Sequence, residues 1–206
     1  MQRSRLALVA AFAVAIALPL RAADEPAKSP THPSSCTAKG NAPMKVKLTT
    51  SMGPIVIELN KEKAPISTEN FIKYVESGHY NGTVFHRVID GFMIQGGGFT
   101  KDMNQKPTQA PIKIESSNGL KNDQYTVAMA RTNDPNSATS QFFINVVNND
   151  RLNYQDDMRP GYAVFGKVTA GQETVDKIRK VETKSEGMHQ NVPASPVTIT
   201  KAECAA

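Results

Sequence analysis

Phe85-His86-Arg87-Val88-Ile89-Asp90-Gly91-Phe92-Met93-Ile94-Gln95-Gly96-Gly97-Gly98-Phe99 is the stretch of this 206-residue chain that decides how the rest is read. Side chains of an extended run alternate between two faces, so Phe85, Arg87 and Ile89 are expected to share one. A cation then sits among apolar neighbours. Gly91 breaks the run, and Phe92, Met93 and Gln95 follow at once. An arginine beside a phenylalanine, a methionine and a carboxamide describes an apolar slot with one strong, fixed donor. By pattern alone, the same residues also fit a surface arginine above ordinary core side chains. His86 is expected on the opposite face, in a structural role. Gly96-Gly97-Gly98 predicts a sharp backbone turn after a strand. It is no phosphate loop, because Phe99-Thr100-Lys101 supplies no Gly-Lys-Ser/Thr at the required spacing.

Working outward, Val46 and Leu48, then Ile55, Ile57 and Leu59, alternate on either side of Ser51-Met52-Gly53-Pro54, which predicts a hairpin. A helix follows. Pro65 suits its first turn, Ser67 and Thr68 are candidate caps, and Glu69 lies near its N-terminus. Phe71, Ile72 and Val75 mark its buried face, and Gly78 ends it. A second helix is expected over 173–180, with Val175 and Ile178 inward. Strands are expected over 83–89, 125–130, 141–146, 162–168 and 197–201. Many short strands with only two helices predict a mostly β fold, a sheet closed into a barrel with helices at its ends. No internal repeat or second-domain linker interrupts it.

The ends of the chain carry different information. Arg3 and Arg5 precede an apolar run from Leu6 to Leu20, and Ala22 and Ala23 follow. This is the layout of a secretory signal peptide over residues 1–23, too short for the ~20 residues of a membrane-crossing helix. An uncleaved anchor is the alternative. Neither Leu20 nor Arg21 suits the −3 position, so the cleavage site is open by a few residues. Residues 24–43 hold Pro, Ala, Ser and Lys with almost no large apolar side chains, the composition of a flexible leader. One domain over 44–206 remains. Export to a periplasmic space follows from the signal peptide, with no stable membrane insertion after its removal. There Cys36 and Cys204, near the two ends of the mature chain, are free to form a disulfide if the fold brings their Cα atoms close enough. A lipid-modified Cys36 is disfavoured, because Pro33-Ser34-Ser35 precedes it and the apolar run ends far upstream.

Charge and motif content exclude several chemistries. The chain carries 24 basic and 19 acidic residues, and residues 1–23 hold three of the basic and none of the acidic, which leaves a net of +2. No dense basic tract with interleaved aromatics points to nucleic acid. Four scattered histidines, with no His-Glu-x-x-His and no Cys-x-x-Cys, argue against zinc, and no Gly-x-Ser-x-Gly supports a hydrolase. No cofactor is expected.

The segment from Phe85 to Gly97 resembles the cyclophilin signature, in which Phe-His-Arg is followed by Gly-Phe-Met-x-Gln-Gly-Gly. Ala128-Met129-Ala130-Arg131 with Ser140-Gln141-Phe142-Phe143-Ile144 is similar to the family's second block, and Val164-Phe165-Gly166-Lys167-Val168 to its third. The resemblance runs from about Met44 to about Lys201 with the blocks in order. It implies a closed eight-stranded antiparallel β-barrel capped by two α-helices, with a shallow outer groove for proline-containing polypeptides. It also implies peptidyl-prolyl cis-trans isomerase activity. Carried over by position, Arg87 and Gln95 are the catalytic candidates. Phe92, Met93, Gln141, Phe143, Leu152 and Tyr162 are the substrate-binding ones, and Ala130 and Arg131 line the peptide track, largely through backbone.

The chain also departs from the well-known eukaryotic members. Arg151 stands where they carry a tryptophan, no tryptophan occurs anywhere, and Tyr162 stands where they carry a histidine. A longer insert over 148–160 accompanies these changes, a combination similar to the periplasmic cyclophilins of Gram-negative bacteria. Loss of the tryptophan implies weak cyclosporin binding at most. A monomer is expected. The rival reading is a non-catalytic chaperone on the same fold, gripping proline-containing segments without turning them over.

Overall fold

The computed structural model describes Cys36 and residues 44–205. The expected signal peptide and, apart from Cys36, the expected leader lie outside the described residues. Strands β1 (Lys45–Thr50) and β2 (Gly53–Leu59) form the predicted hairpin, in register from Lys45 opposite Glu58 to Thr50 opposite Gly53. Then follow α1 (Pro65–Glu76), β3 (Thr83–Ile89), β4 (Met93–Thr100), β5 (Thr126–Met129) and β6 (Phe142–Asn145). A 3₁₀ turn (Asp150–Leu152), β7 (Val164–Ala170), α2 (Gln172–Ile178), β8 (Thr183–Glu186), β9 (His189–Pro193) and β10 (Thr198–Ala205) complete the chain. Eight strands close a barrel in the order β1-β10-β3-β4-β6-β5-β7-β2, every neighbouring pair antiparallel. Closure leaves the barrel itself without a free sheet edge. This is the expected architecture.

Inward-facing side chains fill the barrel, among them Val46, Leu48, Ile55, Ile57, Ile94, Val127, Ile144 and Phe165, all essentially inaccessible to solvent. Helix α1 packs against β7 and β10, and α2 against β2. Phe71 of α1 anchors the aromatic core, its ring 5.1 Å from Tyr80, 5.4 Å from Phe142 and 5.1 Å from Phe165. Truncating such a ring costs roughly 3–5 kcal/mol. The hydroxyl of the buried Tyr80 donates to the Ser140 carbonyl at 2.8 Å, which satisfies the one polar atom of that ring.

The structure departs from the sequence reading in four places. Ser67 and Thr68 do not cap α1. Both are buried within it, and the Glu115 carboxylate accepts from the Ile66 and Ser67 amides at 2.9 and 2.7 Å. That cap comes from a distant loop, and local spacing carries no trace of it. Phe85, Arg87 and Ile89 do not share a face. Phe85 pairs with Gly96 and Arg87 with Gln95, so His86 is an extra residue, a bulge. Phe85 and Val88 consequently both point into the core, and Arg87 and Ile89 point outward.

Nor do Gly96-Gly97-Gly98 make a turn. They lie inside β4, where pairing skips from Gly96 opposite Phe85 to Thr100 opposite Thr83. A Cβ on Gly97, whose φ is +86°, would sit 2.8 Å from the Tyr80 ring, so the glycine lets the strand press against the core. Lastly, β8 and β9 form a separate two-stranded sheet that the sequence reading did not anticipate. Only Val192 and Pro193 of its residues are buried, and they are adjacent, so no apolar alternation marks it.

Candidate active site

Strand alternation sends one set of side chains into the barrel and the other outward. On β4, β5, β6 and β7 the outward set is itself largely apolar, Gln95 apart. Met93, Ala128, Phe143 and Val164 are buried in a second cluster outside the barrel wall, with Ile89, Phe92, Leu120, Ala130, Leu152 and Tyr162 packed on it. Register aligns the wall: Arg87 pairs with Gln95, Gln95 with Phe143, Phe143 with Ala128, and Ala128 with Val164. One cross-strand row thus runs from a cation through a carboxamide to an apolar floor. The bulge at His86 brings Arg87 into this row.

A pocket of about 110 Å³ opens on the row, lined by Arg87, Phe92, Met93, Gln95, Ala130, Arg131, Phe143, Leu152 and Tyr162. Drug-sized ligands occupy ~300–1,000 Å³, so this space suits a single small side chain. The structure therefore brings together nine of the ten residues singled out from the sequence. The tenth, Gln141, does not border the pocket. Its Oε1 accepts from Gln95 Nε2 at 2.9 Å and so holds the Gln95 carboxamide from behind. A Cβ on Gly98 would lie 2.6 Å from Gln141 Cγ, so the third glycine makes room for that contact.

The side chain of Arg131 is engaged within the protein, which leaves its expected backbone role along the peptide track untouched. Its Nε and Nη2 donate to the Gly161 carbonyl at 3.0 and 2.9 Å, and Nη1 donates to the Thr132 carbonyl at 2.8 Å. The guanidinium carbon lies 4.6 Å from the centre of the Tyr162 ring, a cation–π contact. Phe143 meets the same ring edge-on at 5.5 Å. Tyr162 is thereby held upright as a wall of the pocket. Gly161 makes the approach possible, since a Cβ there would lie 2.4 Å from the Leu152 carbonyl oxygen.

The sequence reading missed a set of asparagines beneath this wall. Asn145 and Asn122 are 0 % and 1 % exposed. Asn145 Nδ2 donates to Asn122 Oδ1 and Thr126 Oγ1, and Asn149 Nδ2 donates to Asn145 Oδ1 at 2.7 Å and the Phe92 carbonyl at 2.8 Å. Asn122 Nδ2 donates to the Leu152 carbonyl at 3.0 Å and the Tyr162 carbonyl at 3.3 Å. The network ties the backbones of Phe92, Leu152 and Tyr162 to the barrel. One signal was available: Asn145 interrupts the apolar run 142–146, and a polar residue buried in a strand requires partners.

His86 is buried against Phe99, ring centres 4.6 Å apart, and His189 meets Phe99 edge-on at 5.2 Å. Burial first, and the neighbouring His189 second, push its pKa down to about 4, so it is neutral at ordinary pH. This is the structural role expected of it. Cys36 and Cys204 are joined as a disulfide with Cα atoms 5.0 Å apart. Among the described residues they form, with Glu76, the one cluster close enough to hold a metal, but two sulfurs bonded to each other are not thiolate ligands.

Comparison with known proteins agrees with this geometry. The family described as "Cyclophilin type peptidyl-prolyl cis-trans isomerase/CLD" matches residues 45–204. A peptidyl-prolyl cis-trans isomerase of Streptomyces antibioticus is 61% identical over 160 residues, covering 77% of this chain and 96% of that protein. Peptidyl-prolyl cis-trans isomerase B of Escherichia coli is 55% identical over 152 residues, covering 73% of this chain and 93% of its own length. A cyclophilin-type isomerase of Cryptosporidium parvum, crystallised in the presence of the dipeptide Ala-Pro, superposes with a TM-score of 0.66 at 27% identity. That match covers 79% of this chain and 99% of the other.

Proposed function

This chain belongs to the cyclophilin-type peptidyl-prolyl cis-trans isomerase family and is an isomerase of that type; from that premise we propose how its pocket carries the reaction and where. The bond before proline turns slowly because resonance holds it planar, with a barrier of roughly 18–20 kcal/mol. Catalysis requires only that the twisted form bind better than the planar one. In that form the proline nitrogen regains a lone pair. Arg87 donates to it, through a planar fork of donors that lysine lacks. Phe92, Met93, Phe143 and Leu152 enclose the proline ring, with Tyr162 as the outer wall. Gln95, held by Gln141, binds the rotating carbonyl or the adjacent backbone. Ala130 and Arg131 border the track of the bound chain. No covalent intermediate enters this mechanism.

The observation that carries the reading is the cross-strand row, which sets Arg87 and Gln95 on the rim of an apolar pocket sized for one small side chain. Its test is the isomerisation of a short Xaa-Pro peptide, followed by two-dimensional exchange NMR. Arg87→Ala should be slower by about tenfold or more, about 1.4 kcal/mol of transition-state stabilisation. A wild type that binds the peptide without accelerating exchange would make the groove that of a proline-binding chaperone.

The same reading extends to location and inhibitors. The basic start, apolar run and small residues of 1–23 support export to the periplasm, where the enzyme would assist the folding of exported proteins. A Cys36–Cys204 bond suits such an oxidising space. Mass spectrometry of the protein recovered from a periplasmic extract should find residues 1–23 removed, give or take a few positions. An uncleaved protein in the membrane fraction would refute export as a soluble enzyme. With Arg151 in place of tryptophan, cyclosporin should inhibit only weakly, and a submicromolar inhibition constant would contradict this.

A further inference from the structure

Beside the proline pocket lies a second, open depression of about 520 Å³, and Arg131 and Tyr162 border both. We propose that this depression is a subsite for an acidic side chain of the polypeptide whose proline occupies the neighbouring pocket. The proposal rests on the isomerase site described above.

Charge carries it. Three guanidiniums, those of Arg131, Arg151 and Arg159, line the depression against one carboxylate, that of Asp157. Arg159 is already neutralised by Asp156 in an ion pair. Arg131 is not neutralised. Its donors go to the carbonyls of Gly161 and Thr132 and its flat face to Tyr162, partners without net charge. Arg151, exposed on the 3₁₀ turn, makes no hydrogen bond or ion pair with any described residue. The carboxylates of Asp157 and Asp150 keep their charge but form no ion pair with Arg131 or Arg151 among the described residues, so the lining stays net positive, three guanidiniums against Asp157. Asp157 accepts from the Tyr154 hydroxyl at 2.8 Å and Asp150 from Asn153 at 3.4 Å. Two guanidiniums therefore border the groove in no ion pair with any described residue, one held by hydrogen bonds and one on the exposed 3₁₀ turn.

A concave basic surface of this kind favours a negative side chain and disfavours a positive one. Arg131 supplies position, because its hydrogen bonds and the Tyr162 ring hold it in place. Arg151 supplies reach and a vacant fork for a carboxylate or a phosphoryl group. The apolar pocket would then select the proline, and the basic depression would select the company the proline keeps.

The test uses a series of Xaa-Pro peptides of the full enzyme's ordinary kind, with one glutamate moved residue by residue to either side of the proline, against an all-alanine parent. Exchange NMR gives kcat/KM for each. In wild type, one register should exceed the parent by about three- to tenfold, the range for a charge-assisted contact that stays partly exposed. The advantage should shrink as salt rises. In Arg151→Gln the acidic-to-neutral ratio should fall to about one, and Arg151→Lys, which keeps the charge, should retain most of it. The ratio is read within each protein, so any loss of folded fraction cancels. No advantage in any register, or one that survives in Arg151→Gln, would overturn the subsite. If the neutral parent itself is not accelerated, the isomerase site is what has failed.

Discussion

Arg87 reaches the pocket only because His86 is an extra residue in its strand, and the two neighbours show how differently side chains one position apart are used. Arg87 borders the pocket and its side chain makes no hydrogen bond or ion pair with any described residue, and in the proposed mechanism its charge and its shape both count. Arg87→Lys should therefore recover little of the rate lost in Arg87→Ala, because a point charge on a flexible stem does not reproduce a planar donor. Exchange NMR on the same peptide checks this. His86 is buried neutral, with a pKa near 4 in the folded protein against an ordinary value of 6.5. Between those values the unfolded chain binds the proton and the folded one does not, so stability falls as pH drops from 6.5 toward 4. His86→Phe removes that linkage. Urea midpoints at pH 7 and pH 4.5 should differ less for the variant than for wild type, and an equal difference would contradict the assignment.

At the scale of elements, the strands supply the floor of the site and the connections supply its walls. Phe92 lies in the turn between β3 and β4, Leu152 sits in the 3₁₀ turn and Tyr162 precedes β7, so none is placed by sheet hydrogen bonds alone. The asparagine network does that work. In Asn149→Ala the Phe92 carbonyl and Asn145 Oδ1 both lose a donor. The Phe92 carbonyl keeps the Val146 amide at 3.1 Å, whereas the buried Asn145 Oδ1 is left unpaired, at a cost of roughly 1–3 kcal/mol. The expected signature is a raised KM and a lowered urea midpoint, with the barrel's circular dichroism unchanged. A KM equal to wild type would show that the wall stands without this bond. These connections are also where the sequence was hardest to read. Strand periods are visible because a period of two repeats locally, whereas Asn122, Asn145 and Asn149 meet only after the barrel has closed.

For the whole molecule, the disulfide bridges 168 residues of sequence and ties Cys36 to the last strand. A cross-link over so long a loop restricts the unfolded chain strongly, by roughly 2–5 kcal/mol in measured cases. Reduction, or Cys204→Ser, should lower the urea midpoint accordingly, with activity per folded molecule preserved because the pocket lies on β3 to β7. An unchanged midpoint would mean that the bond adds no stability. How much of this was legible beforehand varies with the range of the interaction involved. The hairpin, the helix from Pro65, the strand over 83–89 and the apolar-plus-arginine character of the central stretch could be read from sequence, because propensity, alternation and side-chain chemistry act between near neighbours. Resemblance over three ordered blocks then named nine residues that do converge on one pocket. What only the tertiary structure decided are the contacts between distant segments. These are the bulge that turns Arg87 outward, the glycines lying inside β4, the Glu115 cap, Gln141 behind Gln95 and the asparagines under the wall. Each depends on which strand lies beside which, and that is set when the barrel closes and its core packs, a many-body outcome that no local pattern encodes.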